Sequence, residues 1–270
     1  MSRPLWFVRL LRKAFPSGIQ FARATHLPIL GSIVDHMLFA GDDLMYLPAN
    51  GVVMINEPVA NPDDVVVPSQ VVDHFIERAG VHWIMDACIC RTAERCRDYP
   101  VGLGCLFLGE AALGINPKLG RRVTKAEAHE HVARCRQAGL IHLIGRNKLD
   151  TVWLGVRPGE RLLTVCNCCP CCCLWRVLPY VAPEIGAKIT RMPGVEVSIG
   201  DDCQGCGTCA EQCFVKAIRM AEGRATITDA CRGCGRCVQA CPQGAIEMKI
   251  DADSFVEQAI CRISPLVDVT

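Results

Sequence analysis

The sequence predicts an α+β protein: a cysteine-rich metal-binding domain containing a helix plus β-ribbon unit, followed by a smaller domain built from an internal repeat. Three observations predict it. Cysteine supplies 20 of the 270 residues. Eight of these thiols form two runs near the C-terminus that repeat at an offset of 28 residues. Between residues 69 and 165, apolar residues at helical spacing alternate with short β-rich runs bounded by glycine and proline, the two periodicities that separate helix from strand. The chain divides on this basis into a basic hydrophobic arm (1–45), a cysteine-rich domain (46–197), the repeat domain (198–250) and a C-terminal extension (251–270).

Half of the residues are hydrophobic, enough for a sizeable core. Lys plus Arg number 29 against 28 Asp plus Glu, so net charge gives no reason to expect a nucleic-acid partner. Disulfide frameworks belong to small secreted domains behind a signal peptide. The first residues lack an h-region followed by a small-residue cleavage site, and no segment reaches the roughly 18 uninterrupted apolar residues of a membrane span. The expectation is a cytoplasmic, reduced protein whose thiolates bind metal, either free in the cytoplasm or at the inner face of the membrane.

Residues 1–34 carry Arg3, Arg9, Arg12, Lys13 and Arg23 and no acidic residue. From Pro4 to Phe15, Leu5, Trp6, Val8, Leu11 and Phe15 interleave with these charges as in an amphipathic helix, which packs on the body of the protein or on a partner subunit, or lies on an anionic membrane surface; a transit peptide is the third option. Tyr46–Ala49 and Val52–Ile55 flank Asn50-Gly51, a pair suited to a tight hairpin turn, and Pro48 places that strand at an edge. Ser69 caps a helix to about Ala79, with Val71, Val72, Phe75 and Ile76 inward and Gly80 ending it.

Cys88, Cys90, Cys96 and Cys105 follow. A Cys-x-Cys pair in extended backbone presents both sulfurs to one face, as two corners of a cluster or two ligands of one ion require. Gly102, Gly104 and Gly109 allow close approach of backbone to such a group. Thr124 and Glu127 then form a capping box, and Ala128, Val132 and Cys135 fall at helical spacing before Gly139, which makes Cys135 a core residue. Leu140–Ile144, Thr151–Val156 and Arg161–Val165 read as short strands, the last two joined around Pro158-Gly159; a helix with such a ribbon is also how a winged-helix module reads. His129, His131 and His142 are read as structural or surface residues, His129 and His131 being two apart and on different helix faces.

Cys166, Cys168, Cys169, Cys171, Cys172 and Cys173 crowd into eight residues. Alternation along a strand turns Cys166 and Cys168 one way and Cys169 the other, and Pro170 breaks the ladder. The stretch therefore feeds two sites or wraps one cluster from several sides.

The repeat reads Cys203-x2-Cys206-x2-Cys209-x3-Cys213 and Cys231-x2-Cys234-x2-Cys237-x3-Cys241-Pro242. Over residues 198–250 these runs resemble the bacterial two-cluster ferredoxins. The resemblance implies one [4Fe-4S] cluster on Cys203, Cys206, Cys209 and Cys241 and a second on Cys231, Cys234, Cys237 and Cys213, the fourth thiol of each run crossing to the other cluster. Gly205, Gly207, Gly233 and Gly235 suit the cluster-wrapping loops, and Ala217–Met220 and Ala225–Thr228 read as a hairpin around Gly223. Phe214 stands where such runs carry proline. Zinc knuckles pair two Cys-x2-4-Cys units, which this tripled spacing is not.

Over residues 80–250, the succession Cys-x-Cys-Arg, Gly-Cys-Leu-Phe-Leu-Gly, Ala-Gly-Leu-Ile-His and Cys-Asn-Cys-Cys-x-Cys-Cys-Cys before a ferredoxin tail is similar to a group of iron–sulfur proteins of anaerobic bacteria and archaea, which implies electron transfer. With Cys135 and Cys261 assigned to packing, ten upstream thiols are left for one further metal site, expected to be an additional Fe-S cluster. The paired cysteines are also similar to those of the catalytic subunit of heterodisulfide reductases, with two clusters of five thiolates each, although no Cys-Cys-Gly follows either segment. A zinc site on four of the ten is the other alternative.

Three functions follow. The first is a relay of low-potential electrons between a redox partner protein, or a larger oxidoreductase complex, and the upstream centre. The second is a reductase acting there on a disulfide, a carbonyl compound or another small molecule. The third, a redox-sensing DNA-binding regulator, lacks a basic recognition face, because Lys125–Ala138 mixes Glu127 and Glu130 with Arg134 and Arg136; no nucleic acid is expected.

Overall fold

A computed structural model of the protein describes residues 2–49, 54–55, 68–250 and 255–270. Three helices open the chain, α1 (Leu5–Ala14), α2 (Gly18–Ala24) and α3 (Pro28–Leu38). In chain order there follow β1 (Asp43–Tyr46), β2 (Met54–Ile55), α4 (Ser69–Arg78), β3 (His82–Met85), α5 (Ile89–Ala93), β4 (Leu106–Leu108), β5 (Gly120–Val123), α6 (Lys125–Gln137), β6 (Ile141–Arg146), α7 (Lys148–Leu154), β7 (Leu163–Cys168), α8 (Pro183–Gly186) and β8 (Ile189–Arg191). The last part of the chain forms β9 (Val195–Ile199), α9 (Thr208–Gln212), β10 (Ile218–Ala221), β11 (Arg224–Ile227), α10 (Arg236–Ala240), β12 (Ile246–Ile250) and α11 (Phe255–Ile263). The mixture of helix and sheet is that of an α+β protein.

A seven-stranded sheet in the order β5-β3-β4-β7-β6-β1-β8 is the frame. Its neighbours pair antiparallel except β1 and β8, which run parallel. Val71, Val72, Phe75 and Ile76, at i, i+1, i+4 and i+5 of α4, pack with Leu106, Leu108, Ile144 and Val165 of the sheet. Each such side chain contributes about 1.5–3 kcal/mol when fully buried. Phe255, Ala259 and Ile263 of α11 complete this core. β12 pairs antiparallel with β9 and parallel with β2, and its Met248 and Ile250 join the same core. The C-terminal unit is thereby packed onto the sheet instead of hanging from a linker.

The arm packs on one side and is open on the other. Val8 of α1 is buried with Leu5 and Leu11 against Trp153 and Leu154, and the Arg3 N–H donates to the Leu154 carbonyl at 3.1 Å. Trp6 and Leu10, on the opposite face, are exposed.

The capping box of α6 forms as expected: the Glu127 N–H donates to Thr124 Oγ1 at 3.3 Å, and Glu127 Oε2 accepts from the Thr124 N–H at 2.8 Å. Three expectations are corrected. The predicted hairpin partners belong to different sheets, β1 in the frame and β2 beside β12; the turn itself, Asn50-Gly51, lies outside the described residues. β1 is an interior strand between β6 and β8, and Pro48 follows its end, where the missing N–H removes no ladder bond. Thr151–Val156 is not a strand: Lys148–Leu154 is helical and ends on Gly155 at φ +70°. Its β-branched and aromatic residues favour a strand, but the left-handed glycine end and the buried bonds that Asp150 makes within the first turn override that preference. β6 and β7 pair inside the sheet, so the ribbon of a winged module is not formed.

Candidate functional site

The C-terminal unit builds its loops on glycines. Gly207 (φ +81°) and Gly235 (φ +80°) turn the chain into α9 and α10 after the second cysteine of each run. At Gly205 (φ +66°) an added Cβ would stand 2.0 Å from the Gly223 carbonyl oxygen, so only glycine fits. One depression is lined by Cys203, Cys206, Cys209 and Cys241, bringing the fourth thiol from the other run. Cys213 lies with Cys231, Cys234 and Cys237, close enough for each to act electrostatically on its neighbours. Backbone N–H groups already point at sulfur: Ala217 donates to Cys213 Sγ at 3.3 Å and Gly233 to Cys231 Sγ at 3.4 Å. Bonds from the Ala225 and Gly205 N–H groups hold the Cys203 thiol below its ordinary range. Donors of this kind stabilise thiolates at a metal.

Upstream, the ten thiols form two groups. β7 turns Cys166 and Cys168 toward Cys105 and Cys173: Cys105 Sγ is 3.7 Å from Cys166 Sγ, and the thiols of Cys166 and Cys173 donate to Cys168. Cys88 and Cys90 join them, hydrogen-bonded to each other. They are not on an extended strand as expected; Cys88 is the N-cap of α5 and Cys90 lies in its first turn. The bond from Cys90, aided by Arg91, lowers the Cys88 thiol to about 7. Cys168 falls well below the ordinary thiol range for the same reason, its donors being Cys166 and Cys173.

The second group is Cys96, Cys169, Cys171 and Cys172, whose sulfurs all lie within 4.8 Å of one another. The Cys96–Cys171 and Cys171–Cys172 separations are 3.6 and 3.5 Å. Leu103, Leu140 and Cys135 pack around it. The two upstream segments converge, but on two groups, and each segment supplies both.

Arg91 has no exposed surface. Its Nη1 donates to the Asn167 carbonyl at 2.7 Å and its Nη2 to the Leu103 carbonyl. Among the described residues it forms no ion pair with a carboxylate, and its Nε has no hydrogen-bond partner. Cys88, Cys169 and Cys105 are the groups that face it and act on it electrostatically. A buried guanidinium without counter-charge costs several kcal/mol; thiolates held at metal supply that charge, and this fits the cysteines to a metal centre.

The six thiols themselves line a cavity of about 440 Å³, with Phe15, Phe21, Trp153 and Trp175 among its other walls. Asp150 also lines it, accepting from Asn147 Nδ2 (2.7 Å), Trp153 Nε1 (2.7 Å) and Thr164 Oγ1 (2.9 Å), while burial pushes its carboxyl above the usual range.

The two parts meet at Tyr46. Its hydroxyl is 3.9 Å from Cys173 Sγ, its ring centroid is 5.3 Å from that of Phe214, and Cys168 and Cys234 both act on it. Arg236 of α10, buried, donates to the Cys168 carbonyl at 2.5 Å. Sequence reasoning missed Tyr46, Arg91, Asp150 and Arg236; only Arg91 carries a local signal, as the residue closing Cys-x-Cys-Arg.

The histidines make structural bonds: His131 Nε2 to the Gly104 carbonyl (2.9 Å), His142 Nδ1 to Asn167 Oδ1 (2.8 Å), and His129 to Asp73 and Glu77. Cys135 is buried as expected, but Cys261 is exposed, because Phe255, Ala259 and Ile263 take the inner face of α11.

The 4Fe-4S dicluster domain family matches residues 202–246. No match is found among curated proteins, and none among solved structures. The match and the thiol groups support an iron–sulfur cofactor, a metal-binding chain and iron–sulfur electron transfer. No helix among the described residues is long and apolar enough to cross a membrane.

Proposed function

We propose that the protein relays low-potential electrons through two [4Fe-4S] clusters to or from a further iron–sulfur centre on the frame sheet. Cys203, Cys206, Cys209 and Cys241 hold one cluster, and Cys213, Cys231, Cys234 and Cys237 the other. The third centre takes its ligands from Cys88, Cys90, Cys105, Cys166, Cys168 and Cys173. Clusters bound there supply one-electron transfer. The chain's residues bind them, exclude water and fix their separation. The observation that carries the reading is the junction at Tyr46, where thiols of the second ferredoxin quartet and of the six-thiol group face one side chain. Thiolate clusters of this kind call for a reducing, anaerobic cytoplasm, and the outer quartet, with Cys206 exposed, is the side for a redox partner protein or larger oxidoreductase complex.

Iron and acid-labile sulfide on anaerobically purified protein should exceed the about eight of each that two [4Fe-4S] clusters contain. A count of only about eight would remove the third centre and with it the relay.

The cavity favours a second reading, an oxidoreductase that reduces a small molecule at the six-thiol group. Its lining selects an apolar substrate, and Asp150 stands where it can hold a proton for the product. Anaerobic turnover of apolar disulfides or carbonyl compounds with a reduced low-potential dye is the test. No turnover by protein that retains the third centre leaves the relay alone.

A further inference from the structure

We infer that Cys96, Cys169, Cys171 and Cys172 form a separate mononuclear zinc site, distinct from every iron–sulfur centre of the chain. The argument is one of spacing. A tetrahedral ion with metal–sulfur bonds of about 2.3 Å sets its sulfurs about 3.8 Å apart. These four thiols fit that envelope, with separations of 3.6 and 3.5 Å and all pairs within 4.8 Å. A cubane has a different iron at each corner, so its ligand sulfurs stand farther apart. The same structure supplies the comparison: among the described residues no other set of three or more thiols, imidazoles or carboxylates is this tight, neither ferredoxin quartet nor the six-thiol group included.

The donor set agrees. Four thiolates in tetrahedral array select zinc or a single iron, and a site with all four positions taken by protein is structural, not catalytic. Cys169 and Cys172 are buried, Cys96 and Cys171 half-buried, so no position is left open for substrate. The ion ties the loop after α5, through Cys96, to the turn around Pro170. Cys168 and Cys173, which belong to the six-thiol group, flank that turn. The zinc site thus holds the two ends of the turn in place for the neighbouring centre. This inference deepens the relay reading without depending on it, since the zinc count and the iron count are read separately.

Elemental analysis of the full chain, purified anaerobically, should find about one zinc per chain. X-ray absorption at the zinc edge should show four sulfur neighbours at about 2.3 Å. Cys172→Ser should lose the zinc and keep its iron and sulfide. Where that variant fails to fold, a chelator applied to the wild-type protein should remove zinc without bleaching the cluster absorbance. The inference is overturned if the wild-type protein holds no zinc, if zinc is bound through fewer than four sulfurs, if Cys172→Ser loses iron instead, or if mass spectrometry finds a disulfide among these four thiols.

A different observation carries a second inference, and the geometry points to docking of the arm on an anionic lipid surface. Trp6 and Leu10 are exposed at i and i+4 of α1, and Ile29, Ile33 and Met37 at i, i+4 and i+8 of α3, so each helix turns an apolar stripe outward. Arg3, Arg9, Lys13 and Arg23 are exposed and residues 1–34 hold no acidic side chain, the charge complement of an anionic surface; Asp35, the next residue, is neutralised by Lys188 at 2.5 Å. Each basic residue near such a surface contributes about 1 kcal/mol, roughly a fivefold gain in partition. The full-length protein should therefore sediment with vesicles of mixed anionic and zwitterionic lipid and not with purely zwitterionic ones, and Ile33→Glu with Leu10→Glu should abolish it. Equal or absent sedimentation with both vesicle types overturns the inference, as does a dimer in solution that the same substitutions dissociate.

Discussion

Arg91 is the residue on which the upstream thiols are hung: it is buried between them and anchored to the carbonyls that precede Cys168 and Gly104, those of Asn167 and Leu103. Arg91→Met keeps the bulk and removes the charge and both bonds. It should destabilise the protein by about 3–5 kcal/mol, the range for breaking a buried charged contact. Chemical denaturation and the iron count would register that loss together, and an unaltered midpoint would show that the thiols carry no charge for Arg91 to balance. Gly205→Ala places a methyl group against the Gly223 carbonyl and should empty the first quartet of iron while leaving α4 and α6 helical, read by iron content against circular dichroism. Asp42 makes stability depend on pH. Burial raises its carboxyl to about 7, against a backbone bond from Lys148 that lowers it. In the unfolded chain it ionises near the ordinary carboxylate value, so native protein stays neutral where unfolded protein has lost the proton. Its contribution is complete below about 4 and is lost as pH rises toward about 7. Urea midpoints should fall over that window in the wild-type protein, and by less in Asp42→Asn.

At the scale of elements, α6 was legible because its signals are local. Thr124, Glu127 and the spacing of Ala128, Val132 and Cys135 specify a start, a period and a buried face without reference to anything distant. Thr124→Ala should cost about 1 kcal/mol, measurable in the thermal midpoint. α7 was not legible. Its residues carry strand-like preferences, and what makes them helical is Asp150, whose carboxylate bonds Asn147 and Trp153 within the turn and Thr164 on β7. β1 was misplaced for a related reason: strand pairing is set by contacts with β6 and β8, 95 or more positions away in sequence, and a nearby Asn-Gly carries no information about them.

At the scale of the whole molecule, the two metal-binding parts share one core. β12 and α11 deliver Met248, Ile250, Phe255, Ala259 and Ile263 to the sheet that α4 covers. A chain ending at residue 197 should therefore expose that apolar surface and aggregate, as size-exclusion chromatography would show; a monodisperse fragment would mean that the sheet closes its own core. The shared packing also holds Tyr46 between the two thiol systems.

The repeat of cysteines by itself pointed to a 4Fe-4S domain, because Cys-x2-Cys-x2-Cys is a local pattern whose ligand spacing survives any arrangement of the rest. Strand alternation likewise pointed to two directions for the thiols around Pro170. Only the tertiary structure decided how the ten upstream thiols divide into six and four, which arginine balances them, and that Tyr46 joins one group to the ferredoxin quartet. Those outcomes depend on side chains brought within a few ångströms from segments up to 188 positions apart, as Tyr46 and Cys234 are, and spacing along a chain does not encode distance of that kind.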